Sequence, residues 1–534
     1  MPTLTIDGKP VTVPEGTTLL QACEQAGSPV PFYCYHPGLS IAGNCRICLV
    51  EVEKQPRLQI ACYVRAADGM VVSTTSDTVL KARQEVLEFL LINHPLDCPV
   101  CDQAGECWLQ DYYMEYGLYN PKFNEQKVKK PKAVPIGPHV MLDAERCILC
   151  SRCVRFCDEV TKTGEFGIFN RADHSEIGIY PGKQLENNYS GCVVDICPVG
   201  ALTDRDFRFK CRVWYLGSAK SVCPGCAMGC SIEIHYNREL KDRPHVAQGK
   251  RVMRLKPRYN PEVNQWWMCD AGRYGYKFID ENRLTQVELR ANGSPRQATW
   301  EETLGLIAQA IQRLKESNEL NRAGVILSTH LTNEDLYIAK RVFRQLGISS
   351  IVVQGPPRPG DSDTFLVKAD KSPNTRGAQA LGLSFNASDL LERAARKELS
   401  LLYVCGHDLV DVYGEALVKQ AMENLELLIF QGSNANRSCR LAHVVLPSAV
   451  YAEKDGTFTN CQGRVQRISQ AFPPLGESKP DWQIFLELAK RMDSQPGDFQ
   501  DAEALFKELA THESAFGGLS YERIGDRGAM LACS

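Results

Sequence analysis

Fifteen cysteines and one histidine in the first half of the chain fall into four consecutive sets with metal-ligand spacing. The sets are Cys34, Cys45, Cys48, Cys62; His94, Cys98, Cys101, Cys107; Cys147, Cys150, Cys153, Cys197; and Cys223, Cys226, Cys230, Cys269. Thiolate and imidazole are ligands for iron–sulfur clusters and for zinc. All four spacings suit iron–sulfur clusters, and a string of such centres along one chain implies one-electron chemistry.

The first set reads C-x10-C-x2-C-x13-C. Plant-type two-iron ferredoxins use C-x4-C-x2-C and a distant fourth cysteine. The first gap here is longer, and four thiolates also suit zinc, but a [2Fe–2S] cluster is expected. The second set, H-x3-C-x2-C-x5-C, suits a [4Fe–4S] cluster or a zinc site of three thiolates and one imidazole. Its three neighbouring sets favour the cluster.

The third set carries a register argument. Two-cluster bacterial ferredoxins repeat C-x2-C-x2-C-x3-C-P, and the fourth cysteine of each copy ligates the other cluster. Cys147, Cys150, Cys153 and Cys157 form one copy, and Cys197-Pro198 ends the other. Counting back from Cys197, the remaining ligand positions hold Val193, Ser190 and Asn187. One cluster survives, on Cys147, Cys150, Cys153 and Cys197, and Cys157 becomes structural. The fourth set, C-x2-C-x3-C with Cys269 far downstream, suits a [4Fe–4S] cluster, with zinc as the rival.

Eight cysteines remain: Cys23, Cys157, Cys192, Cys211, Cys405, Cys439, Cys461 and Cys533. Each is expected to be a small buried hydrophobe. No secretory leader is expected, and the cysteines crowd into C-x2-C units, which points to metal rather than disulfides. Its 534 residues allow several domains, and 44% hydrophobic content places it among globular proteins. Net charge is −3, which gives no case for nucleic acid. No apolar run reaches the roughly 18 residues of a membrane span.

The elements that must hold these ligands follow from local pattern. Residues 3–13 read as two short strands around Asp7-Gly8. A helix follows, opened by a capping box of Thr18 and Gln21, with Cys23 in its core face. An apolar helix over 78–93 delivers His94. Residues 121–138, rich in Lys and Pro, read as a linker. Beyond residue 273, strands at 324–328, 350–354, 400–405 and 426–431 alternate with helices such as 299–314 and 333–346. That alternation implies a parallel, doubly wound sheet. The last 20 or so residues read as poorly structured.

Three segments carry a family resemblance: His94 to Cys107 (HPLDCPVCDQAGEC), Arg146 to Phe156 (RCILCSRCVRF) and Val194 to Leu202 (VDICPVGAL). With Ala369 to Gly377 and Asp455 to Arg464, they make essentially the whole chain resemble the large iron–sulfur subunits of the peripheral arm of respiratory complex I. The resemblance implies α+β N-terminal iron–sulfur domains. These are a β-grasp 2Fe-2S ferredoxin-like domain at 1–78, a 4Fe-4S domain with one histidine and three cysteine ligands at 79–120, a linker at 121–139 and a bacterial-ferredoxin-like 4Fe-4S module at 140–215. A molybdopterin-oxidoreductase-type 4Fe-4S domain follows at 216–272, then a shortened α/β molybdopterin-oxidoreductase-like domain at 273–534 without cofactor. It implies one 2Fe-2S and three 4Fe-4S clusters and no molybdopterin.

The implied role is electron relay from an NADH/FMN-binding subunit through downstream iron–sulfur subunits toward quinone, coupled to proton translocation by the whole complex. It also implies a peripheral location on the cytoplasmic face of the bacterial inner membrane, with membrane contact only through the complex. The fourth cluster resembles one lying off the main path. No G-x-G-x-x-G fingerprint marks an NADH site, and no catalytic residue is expected on this chain. Two other enzyme classes share the ligand sets. A molybdenum formate dehydrogenase would carry Cys-x-Lys-Gly where this chain has Ala271. An iron-only hydrogenase needs further cysteine motifs that the isolated Cys405, Cys439, Cys461 and Cys533 do not form. A zinc-binding interaction protein is the remaining alternative.

Overall fold

The structure, a computed structural model, describes residues 1–120, 122–238, 249–291, 294–355 and 359–532. It divides into two units, Met1–Leu216 and the described residues from Gly217 onward.

The first unit opens with hairpin β1 (Thr3–Ile6) and β2 (Lys9–Thr12). Asp7 (φ 46°) and Gly8 (φ 80°) both adopt the positive φ that a tight hairpin turn requires. Helix α1 (Leu19–Gln25) starts at a capping box in which Thr18 and Gln21 satisfy each other's backbone N–H. Strands β3 (Leu49–Val52), β4 (Gln59–Ile60) and β5 (Val71–Ser73) complete a mixed sheet in the order β2-β1-β5-β3-β4. Leu19, Leu20, Ala22 and Cys23 of α1 pack with Leu4, Ile6, Val50 and Val72 of the sheet. This helix-on-sheet core is the β-grasp arrangement expected.

Helix α2 (Asp77–Leu91) starts at Ser76, whose hydroxyl accepts the Val79 N–H. It buries only Val79, Arg83 and Leu87, so it is less enclosed than its composition suggests. Helix α3 (Trp108–Tyr116) packs against it, with Arg83 over the Tyr116 ring at 5.0 Å. The segment read as a linker does more than span. Lys127 Nζ caps the Leu91 and Ile92 carbonyls at 2.8 and 2.7 Å, and Lys132 Nζ lies 2.8 Å from Glu145. Strand β6 (Val134–Pro135) within it pairs with β7 (Val140–Leu142). Helix α4 (Arg152–Arg155), hairpin β8 (Phe166–Phe169) and β9 (Glu176–Ile179), helix α5 (Cys192–Ile196) and β10 (Leu202–Asp204) follow. Strand β10 pairs with β7.

The second unit contains the sheet β11 (Leu216–Val222), β12 (Ser231–Asn237) and β13 (Val252–Pro257), then helix α6 (Asp270–Tyr274). Its larger sheet joins β14 (Glu288–Ala291), β15 (Ser294–Gln297), β16 (Ala323–Ser328), β17 (Ile351–Gln354), β18 (Leu401–Cys405), β19 (Leu427–Gly432) and β20 (Val444–Pro447). Their order is β15-β14-β20-β19-β18-β16-β17, with β16 to β20 parallel and β14 and β15 antiparallel at one edge. Helices α7 (Trp300–Glu316) and α8 (Asn333–Gln345) lie where the sequence puts them. The strands are buried on both faces, by separate apolar clusters. Their continuous apolar runs are what a covered parallel sheet demands. Among the described residues no helix is long and apolar enough to cross a membrane.

Two expectations are corrected. The C-terminal stretch is ordered: Phe516, Tyr521 and Ile524 are buried, Ala529–Met530 pairs with Arg464–Ile468, and Tyr521 OH donates to Glu334 at 2.9 Å. Cys461 is exposed because its loop turns outward at Asn460–Gly463, while its backbone N–H binds the Ala227 carbonyl at 2.7 Å. Cys23, Cys157, Cys192, Cys211, Cys405 and Cys439 are buried as expected. Cys533 lies outside the described residues.

Candidate iron–sulfur sites

The first set lies on the loop between α1 and β3 and at the end of β4. Cys34, Cys48 and Cys62 are buried and Cys45 is half-buried. The Cys34 N–H points at Cys45 Sγ, 3.5 Å away. Contact among the four thiols splits their acidities: hydrogen bonds from neighbouring thiols hold Cys34 and Cys48 down and push Cys45 and Cys62 up. Arg46, between two ligands, takes a left-handed φ of 61°. Such backbone costs about 1–3 kcal/mol and persists where the surroundings over-determine it. Four converging thiols on a strained loop fit a cluster with four thiolate ligands.

The second set depends on α2 and α3. His94 follows α2, Cys98 opens a single 3-10 turn, and Cys107 is the N-cap of α3. Burial, reinforced by Arg146 and Lys127, holds His94 down to about 4, so its imidazole is neutral, the form that ligates metal. His94, Cys98 and Cys107 line a cavity of about 530 Å³ with Leu87, Leu91 and Leu109. Cys101 is buried beside Gly200, where an added Cβ would lie 2.2 Å from its sulfur.

In the third set, Cys147, Cys150, Cys153 and Cys197 surround a small apolar cavity with Leu142, Ile177, Val199 and Leu202. Burial pushes the Cys147 and Cys150 thiols up to about 12 and about 11, and the neighbouring thiolates add to it. Leu149 (φ 53°) and Ser151 (φ 59°) bend the chain between ligands, and the Leu149 N–H faces Cys147 Sγ at 3.4 Å. The converging thiols and dry walls fit a cluster. The place of a second cluster is filled differently. Asn187 Nδ2 donates to Glu165 at 2.9 Å, and Glu165 also meets Thr163 and the buried Cys157 thiol, while Ser190 and Val193 are fully buried.

The fourth set lies on the β11–β12 loop and at α6. Cys223 N–H donates to the Cys230 carbonyl at 2.8 Å. Cys269 caps α6, its sulfur accepting the Gly272 N–H at 3.3 Å. A Cβ on Gly272 would come within 2.9 Å of Cys223 Sγ, so glycine is needed for the close approach. Beyond Cys223, a cavity of about 500 Å³ opens at the carboxyl ends of β16, β18 and β19, lined by His330, Lys371, Gly406, Asn436 and Tyr451. That is the usual ligand crevice of a doubly wound sheet. Among the described lining residues the one thiol is Cys223, already in the fourth set, and Ser433 is engaged with Asn434 at 2.7 Å. Among the described lining residues no thiolate beyond the fourth set's own is offered to a molybdenum ion.

Within the first unit the three sets pack around one another, and the first meets the second where Phe32 lies 5.3 Å from the Trp108 ring. Arg155 Nη2 donates to the carbonyls of Cys34 (2.5 Å) and Cys150 (3.3 Å), and Asn44 Nδ2 donates to Leu149 O at 3.1 Å. These contacts join the first and third sets. The third and second meet where the Trp108 N–H binds the Pro198 carbonyl at 3.1 Å and Gly200 abuts Cys101. One apolar cluster holds Cys34 and Cys150, with Cys45, Cys107, Cys147 and Cys197 against it.

Comparison with known proteins matches this architecture module by module. Residues 1–77 match a 2Fe-2S iron-sulfur cluster binding domain, and 83–122 the NADH-ubiquinone oxidoreductase-G iron-sulfur binding region. Residues 137–203 match the NADH-quinone oxidoreductase subunit 3 ferredoxin-like domain, 217–281 the molybdopterin oxidoreductase Fe4S4 domain, and 371–491 the molybdopterin oxidoreductase family. The G subunit of the Rickettsia bellii NADH-quinone oxidoreductase is 30% identical over 93% of this chain and 88% of its own length. The chain belongs to the family of NADH-quinone oxidoreductase G subunits. The 75 kDa NADH-ubiquinone oxidoreductase subunit of Reclinomonas americana is 30% identical over 95% of this chain and 91% of its own. The 78 kDa mitochondrial subunit of Neurospora crassa is 31% identical over 90% and 79%. The family of iron–sulfur oxidoreductase subunits inferred from the ligand segments is thereby shown.

Sequence reasoning missed Gly200, Arg152 and Arg155. For the arginines a signal was present: two cations interleaved with three ligands from Cys147 to Arg155, with no acid among them.

Proposed function

We propose that this chain carries one [2Fe–2S] cluster on Cys34, Cys45, Cys48 and Cys62 and three [4Fe–4S] clusters on the other three sets. The module boundaries at 78, 120, 139, 215 and 272 divide it accordingly. As a subunit of NADH-quinone oxidoreductase, it accepts electrons from the NADH/flavin subunit and passes them toward quinone through downstream iron–sulfur subunits. The whole complex couples this to proton translocation, and this chain sits peripherally in it on the cytoplasmic face of the bacterial inner membrane. Bound clusters supply one-electron transfer without proton or bond chemistry. The protein's part is to hold the ligands close, dry and fixed.

The observation that carries this reading is the shared packing of three ligand sets in the first unit. These three sets form the main electron path. The fourth set sits beside a cavity whose described lining offers no thiol beyond the set's own, so it lies off the path. EPR of the anaerobically reduced complex, with metal analysis, tests the reading. About 14 iron atoms per chain and no molybdenum are expected. His94→Ala should stop quinone reduction, and Cys226→Ala should leave it largely unchanged in assembled complex. Stoichiometric molybdenum, or transfer lost in Cys226→Ala complex that retains its other clusters, would overturn it.

A further inference from the structure

Arg152 is 2% exposed and, among the described residues, no carboxylate lies within 4.0 Å of it. Its Nη1 donates to the Ile196 carbonyl at 2.9 Å and its Nη2 to the Tyr35 carbonyl at 2.6 Å, while Nε has no partner. Ile196 precedes Cys197 of the third set, and Tyr35 follows Cys34 of the first. The guanidinium also lies 4.6 Å from the Trp108 ring centroid. Arg155, half-buried, makes similar contacts. It reaches the carbonyls of Cys34, Cys150 and Ser40 and the Ser151 hydroxyl, again with no carboxylate in range among the described residues. The nearby Glu159 is engaged by the Ser40 backbone N–H at 2.8 Å.

Neutral carbonyls orient a guanidinium but do not cancel its charge, and a buried charge without a counter-ion is strongly destabilising. The anionic groups that act on Arg152 are the thiolates of Cys150 and Cys197 in the third set and Cys34 in the first.

We propose that Arg152 and Arg155 are shared positioning residues and counter-ions for the first and third clusters, raising both reduction potentials and fixing the separation of the two ligand loops. This rests on the ligand assignment proposed above. An added electron makes a cluster more negative, so a fixed cation nearby favours reduction; net charge and hydrogen bonding are the levers a protein has on cluster potential. The fork geometry explains arginine at these places: one planar group meets a carbonyl from each ligand segment, which the point charge of lysine cannot do.

The test uses the purified complex with its clusters, titrated potentiometrically with EPR detection. Arg152→Gln should lower both potentials. The expected shift is about tenfold in each one-electron reduction equilibrium, or about 59 mV. Arg152→Lys keeps the charge and should stay near wild type in potential, with altered magnetic coupling between the two centres. Unchanged potentials in Arg152→Gln, with both signals present, would overturn the proposal, as would a fall in one cluster alone. If Arg152→Gln fails to load a cluster, Arg155→Gln should lower both potentials, and no shift there overturns it equally. Wild-type complex without the two signals would instead sink the ligand assignment.

Discussion

Gly200 offers a way to remove one centre without touching a ligand. A Cβ at this position would lie 2.2 Å from Cys101 Sγ and 3.2 Å from the Gln103 Cβ. Ordinary contact begins at 3.4 Å, so in Gly200→Ala the sulfur or the glycine must move by about 1.2 Å. The sulfur has little room, because Cys101 is 8% exposed. The Pro198–Gly200 backbone is held as well, since Pro198 accepts the Trp108 N–H and Cys197 belongs to the third set. A displacement of about 1 Å in a functional geometry can cost about a hundredfold in rate. Quinone reduction should fall by at least about tenfold, with the second cluster's EPR signal lost and the first cluster's retained. Loss of the third signal as well would mean that the backbone gave way rather than the sulfur. Full second-cluster occupancy with wild-type quinone reduction would refute the steric reasoning.

Cys153→Ser should abolish the third cluster, whereas Cys157→Ser should leave its EPR signal intact, because Cys157 meets Glu165 in the filled second-cluster place. Loss of signal in Cys157→Ser would show the register count to be wrong. Burial pushes Glu334 up to about 7 from an ordinary 4.5, so the folded chain keeps a proton that the unfolded chain has released. Stability of the second unit should therefore fall as pH rises from about 4.5 to about 7, and Glu334→Gln should flatten that fall in calorimetry. An equal slope in the variant would count against it. Removing iron with a chelator under reducing conditions should expose the first unit to proteolysis and spare the doubly wound sheet of the second. Equal digestion of both units would argue that the clusters do not hold the first unit together.

How much of this was legible in the sequence depended on distance along the chain. The Thr18–Gln21 capping box was readable because both partners lie within one turn. The strands at Ala323–Ser328 and Leu401–Cys405 were readable because a sheet covered on both faces leaves continuous apolar runs. The C-terminal stretch misled because its glycines and charges look like a tail. Its anchors, Tyr521 on Glu334 and Phe516 against Phe506, are long-range or aromatic contacts that local pattern does not carry. Gly200 escaped for the same reason, since its requirement comes from Cys101 and not from its own turn. The four proposed ligand sets stood out because close cysteine spacing is a local pattern that a metal site, not the surrounding fold, would set.

The three sets of the first unit pack together because of how the second set is held. Its two helices return the chain to the ferredoxin-like module: α3 is tied to Pro198, and Asp97 is bridged to Arg146 at 2.9 Å. The first unit thus builds around ligands as much as around apolar side chains. Its buried thiols face one another, and Arg46, Leu149 and Ser151 hold left-handed backbone between ligands. That strain, at about 1–3 kcal/mol per residue, needs an offset that thiol contacts in water do not give. Cluster binding can supply it, since metal-binding free energy appears as folding free energy where no site preexists in the unfolded chain. The doubly wound sheet of the second unit has a support of its own, because α7, α8 and the parallel strands close a large apolar core. An electron relay would gain from the arrangement in the first unit: the proposed ligands would also fix the spacing between centres.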